Sequence, residues 1–186
     1  MNVIGFIASP RKEGNTAWVV NEILEAAKAQ GAETQSWHTG DLDIKPCRSC
    51  YGCRQGELRC IVNDDMQKLY DALEHADALV LGSPTYMGQM SAQAKIFIDR
   101  LFAEYHPRFS PQFKERAAKK LVLVFTQGNP DPGLFQPYYD YTKNMFQLLG
   151  FDVKGVQVVA GTRSEPAQGR GDLHRAMQDL ASSLVS

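Results

Sequence analysis

The chain has 186 residues, 44% of them hydrophobic, which is enough to bury a core as one domain without crosslinks. Twenty Lys and Arg stand against 21 Asp and Glu, a formal net charge of −1, so nothing in the balance marks a nucleic-acid or membrane-surface binder. No apolar run approaches membrane-spanning length, and the opening Met1-Asn2-Val3-Ile4-Gly5-Phe6-Ile7-Ala8 has no basic flank. It reads as a first strand rather than a signal peptide, and the expected compartment is the cytoplasm.

In chain order, a strand over Val3 to Ala8 is followed by a loop, Ser9 to Gly14, and by a helix whose Val19, Val20, Ile23, Leu24 and Ala27 recur at helical spacing. Gly31 closes that helix, and a weak strand follows at about Thr34 to His38. A Cys-rich insert at about 45–62 then occupies what is usually a short connection. Asn63 or Asp64 is placed to cap a helix with Met66, Leu69, Tyr70 and Leu73 on one face, leading into the buried strand Ala78 to Leu81. A third helix carries Ala94, Ile96, Phe97 and Leu101, and a fourth strand runs from Leu121 to Phe125. A fourth helix carries Tyr138, Tyr141, Met145 and Leu149. A strand over Val153 to Val159 and a helix with Leu173, Met177, Leu180 and Leu184 complete the alternation.

Alternating strands and helices predict an α/β domain spanning 1–186, a doubly wound parallel sheet of five strands ordered 2-1-3-4-5. Its ligand crevice would lie at the carboxyl ends of the strands, where Ser9 to Thr16, Ser83 to Gly88 and Thr126 to Gly133 meet. The first of these joins a strand to a helix N-terminus, where free N–H groups and the positive dipole end favour a phosphate. Ser9, Thr16, Asn15 and Arg11 are placed to complete the cradle; a capped loop with solvated Arg11 and Lys12 is the plainer reading. Neither a Walker A motif nor a Gly-x-Gly-x-x-Gly fingerprint is present, so a monophosphate fits better than a dinucleotide. Ser83-Pro84-Thr85-Tyr86-Met87-Gly88 is suited to present amides to a flat ligand, with Tyr86 either flanking it or packed on the core.

All four cysteines fall in Cys47-x2-Cys50-x2-Cys53-x6-Cys60. In a reducing compartment such a run binds metal or does redox chemistry more often than it forms structural disulfides. Its tight start favours an iron–sulfur cluster, with zinc, a disulfide or idle thiols as the alternatives.

Ser-Pro-Arg-Lys-x-Gly-Asn-Thr after the first strand, Ser-Pro-x-Tyr after the third, and Lys95-x-Phe97-Ile98-Asp99-Arg100 resemble the NAD(P)H-dependent FMN reductase family of flavodoxin-like proteins. The cysteine pattern followed by Asp64-Asp65-Met66 is similar to its iron–sulfur flavoprotein branch, whose members are implied to hold FMN and a [4Fe–4S] cluster. By that resemblance Ser9, Arg11, Lys12, Gly14, Asn15, Thr16 and Ala17 surround the FMN phosphate, and Pro84, Thr85, Tyr86, Met87 and Gly88 line the isoalloxazine. Thr126, Gln127, Gly128, Asn129 and Asp131 would meet the polar edge of the ring, and Cys47, Cys50, Cys53 and Cys60 would ligate the cluster. The spacing of six residues before Cys60 is toward the long end of that branch. A homo-oligomer, dimer or tetramer, is implied, with flavin sites near subunit contacts.

The expected function is therefore an FMN-dependent oxidoreductase with the cluster as electron relay. A cluster-free NAD(P)H-dependent FMN or quinone reductase, with NAD(P)H as a transient donor, is the alternative, and a non-enzymatic flavodoxin-like carrier lies beyond it. Lys45, Arg48, Arg54 and Arg59 oppose only Glu57 across the insert, a basic patch that either docks an acidic donor such as a ferredoxin or is a solvated rim. The acids Asp64 and Asp65 are explained by the helix dipole. His38, His75, His106 and His174 have no metal-like spacing, and the aromatic stretch Tyr105 to Phe113 would cover a flavin or pack on the third helix.

Overall fold

The computed structural model describes residues 1–55, 59–105 and 117–186. The stretch expected to cover a ligand, including His106, lies almost wholly outside them, as does Glu57. Strands β1 (Asn2–Ile7), β2 (Glu33–His38), β3 (Ala78–Tyr86), β4 (Gln89–Met90), β5 (Lys120–Thr126) and β6 (Asp152–Val159) alternate with helices α1 (Asn15–Ala29), α2 (Met66–His75), α3 (Ala92–Tyr105), α4 (Gln136–Leu148) and α5 (Gly171–Val185). Five strands run parallel in the order β2-β1-β3-β5-β6, and the direction of winding reverses between β1 and β3.

The expected five-stranded sheet is corrected to six strands among the described residues, the five parallel ones being joined by a short antiparallel strand. β3 does not stop at Leu81; it continues through the segment read as a loop, and turns back at Met87-Gly88 into the antiparallel β4, pairing Tyr86 with Gln89 and Thr85 with Met90. Both turn residues have positive φ, 50° at Met87 and 78° at Gly88. That is the two-residue primed hairpin whose twist matches its strands. A methionine at the first position hid it, because Asn, Asp or Gly is the usual signal there.

The sheet is apolar on both faces, which is why its central strands read as continuous hydrophobic runs. Ile4, Phe6, Leu79, Leu81, Leu121, Leu123 and Phe125 face α2, α3 and α4 in one core. Val3, Ile7, Ala78, Val80, Val122 and Val124 face α1 and α5 in the other. Larger side chains lie under the first set of helices and smaller ones under the second, where α1 comes close. A Cβ built on Gly82 would lie 2.4 Å from Val20 Cγ2 and 3.0 Å from Thr16 Cγ2. The glycine thus sets the depth at which the start of α1 docks.

Helix α4 fully buries Tyr139, Thr142 and Phe146, while Tyr138, Met145 and Leu149 of the neighbouring stripe read from the sequence pack half-buried against the same core. Both stripes have helical spacing and aromatic content, and one residue, about 100° of rotation, separates them. Of the four residues read from the sequence, Tyr141 alone is exposed, at 69%.

Candidate functional site

The first turn of α1 follows Ser9-Pro10-Arg11-Lys12-Glu13-Gly14, whose extended Gly14 is the N-cap; no side chain caps the helix. The earliest amide satisfied by the helix ladder in this stretch is that of Trp18, which donates to Gly14 O at 3.1 Å. Amides of the first turn therefore face a cavity of about 430 Å³ lined by Ser9, Arg11, Gly14, Asn15, Thr16, Pro84, Thr85, Tyr86, Thr126, Gly128, Thr162 and Arg163. Six of these side chains carry hydroxyls and two carry guanidinium groups, and no carboxylate is among them. An anion placed there gains from the dipole, the free N–H groups and both cations.

The sheet topology brings these groups together. Thr16 and Thr126 Oγ1 atoms lie 2.7 Å apart across α1 and β5, both buried. Ser9 Oγ accepts from Arg11 N at 3.2 Å, folding the loop over the helix start. Asn15 turns its carbonyl oxygen away, accepting from Ala167 N at 2.7 Å, and so ties the cradle to the segment before α5.

Of the candidates read from sequence, Ser9, Arg11, Gly14, Asn15, Thr16, Pro84, Thr85, Tyr86, Thr126 and Gly128 line one cavity. Others stand apart from its lining. Lys12 pairs with Asp41, both more than half exposed. The Ala17 side chain belongs to the core beneath α1. Met87 is fully exposed at the hairpin tip, and Gly88 there faces Phe135. Gln127 is buried and donates to Asn129 O and Asp131 O, and Asp131 caps its own turn through Gly133 N. Thr162 and Arg163 were missed. They reach the cavity because Thr162 donates through both N and Oγ1 to Gln127 O, each at 3.0 Å. No local motif announces that docking.

A second cavity of about 430 Å³ is lined by Cys47, Cys50, Cys53 and Cys60 together with Arg48, Ser49, Tyr51, Val62, Ile98, Asp99, Phe102, Met145 and Leu149. The chain coils around it through two left-handed non-glycine residues, Ser49 at φ 52° and Tyr51 at φ 56°. Such backbone is costly unless the surroundings require it. Burial pushes the Cys53 thiol up; Arg54 works against this, and Cys60 and Cys47 add to it. Among the described residues no three Cys, His, Asp or Glu side chains stand at metal-binding spacing. The donor set nevertheless suits iron and sulfide: four thiols open on one apolar space.

The base of this insert is clamped. Arg100 on α3 is buried, as is Asp64, with side chains 1% and 0% exposed. Arg100 Nη1 donates to Asp64 Oδ2 at 2.7 Å and to Lys45 O at 2.8 Å; Nη2 donates to Asp64 Oδ1 at 3.1 Å and to Val62 O at 3.5 Å. Asp64 also accepts from Lys45 N and Met66 N. Burial raises the Asp64 carboxyl, but the Arg100 fork and the two amides outweigh it and hold the group below its ordinary value. The dipole reading of Asp64 is thus corrected: its main partner is a buried arginine. Asp65 does open α2, and accepts from Asp43 N. Of the basic patch, Arg59 pairs with Asp71 at 2.5 Å and Arg54 lies over the Phe102 ring at 4.1 Å.

A parallel sheet with an amide-lined anion cradle beside its switch point defines the flavodoxin-like class of α/β protein. The profile of one family in that class, NADPH-dependent FMN reductase, matches residues 1–164, and the chain belongs to it. An iron–sulfur flavoprotein of Methanocaldococcus jannaschii is 41% identical over 100 residues, 54% of this chain and 51% of that protein. One from Archaeoglobus fulgidus is 33% identical over 132 residues, 70% of this chain and 58% of that protein. The chain thus spans about half to three fifths of the length of these relatives. Among solved structures, an NAD(P)H:quinone oxidoreductase from Methanothermobacter marburgensis shares the fold with a TM-score of 0.77 at 16% identity, over 100% of this chain and 98% of that one.

Proposed function

We propose that this protein is an FMN-dependent oxidoreductase that holds the FMN phosphate at the first turn of α1 and a [4Fe–4S] cluster on its four cysteines. The observation that carries the first part is the uncapped helix start facing Arg11 and Arg163 across a cavity without a lining carboxylate. A phosphomonoester dianion matches two guanidinium groups in charge and needs several donors, which Ser9, Thr16, Thr126 and the amides supply. A flavin ring would extend from there toward Pro84, Thr85 and Tyr86 at the end of β3, which line the same cavity. Bound FMN would supply hydride and single-electron chemistry. The side chains of the chain orient and neutralise it, and none is required as a general acid. NAD(P)H serves as a transient hydride donor and needs no dinucleotide fingerprint.

Support for the cluster comes from the convergence of Cys47, Cys50, Cys53 and Cys60 on one cavity and from the coiled backbone at Ser49 and Tyr51. The same reading makes the protein a homo-oligomer, a role for which the exposed Leu134, Tyr141 and Leu148 are suited, and makes a ferredoxin a fitting partner for the basic rim. Anaerobically prepared protein tests it. FMN released on denaturation, iron and acid-labile sulfide near four per chain, and steady NAD(P)H oxidation are expected, four being the content of a [4Fe–4S] cube. Flavin without iron leaves the cluster-free reductase, flavin without turnover leaves the electron carrier, and protein that refuses FMN overturns the reading.

A further inference from the structure

Three buried or half-buried side chains link the cavity rim to α4. Tyr139, fully buried, stacks on Phe125 with ring centroids 4.3 Å apart. Its hydroxyl lies 2.6 Å from Gln127 Oε1 and 3.0 Å from Thr85 Oγ1. Thr85 in turn lines the cavity at the start of α1. The direction of each proton follows from counting donors. Gln127 Nε2 meets Asn129 O at 3.1 Å and Asp131 O at 2.6 Å, two carbonyl oxygens that only accept. The amide orientation is therefore set, and Oε1 is the end facing Tyr139. Between Oε1 and the phenol, only the phenol has a proton to give. Two short oxygen–oxygen contacts need two protons, and Tyr139 has one, so the proton shared with Thr85 belongs to Thr85. Burial pushes the Tyr139 hydroxyl up, which keeps its proton in place throughout the working pH range.

We propose that Thr85 faces the bound cofactor as a hydrogen-bond acceptor only, its one proton held by Tyr139, so that the cavity selects a ligand that directs an N–H or O–H at the end of β3. The inference rests on the FMN reading and goes further by fixing the polarity of one contact. FMN has such donors at its ring imide and ribityl hydroxyls, whereas the bare ring nitrogen N5 of the oxidised flavin is an acceptor and would be opposed by a Thr85 lone pair. Tyr139 acts here as a positioning residue: it commits the Thr85 proton and meets no ligand itself. Tyr138 beside it accepts from Met90 N at 3.1 Å and holds the returning strand of the hairpin, so α4 braces the rim at two points.

The test is FMN affinity, read by fluorescence quenching, for the wild type, Thr85→Val and Thr85→Ser, each with FMN and with 5-deaza-FMN, in which N5 is replaced by C–H. Thr85→Val keeps the shape and removes the acceptor; a loss of about tenfold is expected, the size of one hydrogen bond. Thr85→Ser restores affinity to within about twofold and serves as the control for folding. The Thr85→Val loss should persist undiminished with 5-deaza-FMN, because an acceptor makes no bond to N5. A loss that disappears with 5-deaza-FMN shows Thr85 donating to N5 and overturns the proposal, as does a Thr85→Val protein that binds both flavins like the wild type. Failure of the wild type to bind either flavin would instead overturn the FMN reading.

Discussion

Replacing Asp64 by asparagine isolates what the buried clamp contributes. Each Asp64 oxygen accepts two bonds: Oδ1 from Arg100 Nη2 and Met66 N, Oδ2 from Arg100 Nη1 and Lys45 N. An asparagine amide in either orientation turns one of those oxygens into a donor facing two donors, and leaves Arg100 charged and uncompensated in a site 1% exposed. Breaking one side of such a pair costs about 3–5 kcal/mol, a large part of the roughly 5–15 kcal/mol that holds an ordinary domain folded. Urea unfolding followed by circular dichroism should show that loss in the midpoint with an unchanged slope. Arg100 also holds the carbonyls of Lys45 and Val62, so the thiols of Cys47 and Cys50 should react faster with an aromatic disulfide reagent in the cluster-free variant. The pH dependence has a definite sign. Asp64 is depressed on folding from its ordinary 3.8, so its contribution is complete above that value and is lost as pH falls through the lower folded value. The gap between wild type and Asp64→Asn should thus be flat at neutral pH and close only in strong acid. A variant within about 0.5 kcal/mol of wild type at pH 7 would refute the clamp.

Three further outcomes are expected. Gly82→Ala places a methyl 2.4 Å from Val20 Cγ2 and should cost about 1–3 kcal/mol in chemical unfolding, with weaker FMN binding because Thr16 moves with α1. Met87→Asn puts a residue that tolerates positive φ at the exposed hairpin tip, and should raise stability by about 0.5–1 kcal/mol in the same assay. Arg163→Ala should leave the fold intact, since the side chain is exposed, yet lower FMN affinity about tenfold at low salt, with a smaller loss at high salt. Equal affinities at both salt concentrations would remove Arg163 from the cradle.

Much of the candidate site was legible because its parts are local. A strand running into a helix through Ser9 to Thr16 is a short-range statement, and the uncapped α1 start follows from the lack of a capping side chain at Gly14. The cysteines, too, are close in sequence, so their meeting at one cavity needs only a coiled loop. The order of the parallel strands follows from apolar runs separated by helical patterns, since few right-handed arrangements bury both faces.

Other features needed the folded chain, because they depend on partners far apart in sequence. Asp64 looked like a helix-dipole acid until Arg100, thirty-six residues on, proved to be its counterion. Thr162 and Arg163 enter the cavity only because β6 lies beside β5 and the loop after it is held to Gln127. On α4 both Tyr138 and Tyr139 meet the Phe125 ring, and only the packing decided that Tyr139 is fully buried against it while Tyr138 sits half-buried at its edge. Periodicity along a chain specifies that a face is buried; which neighbour meets that face, and which atoms of the buried polar groups pair, is decided only when the elements pack, since unpaired polar atoms inside a core are too costly to leave to chance.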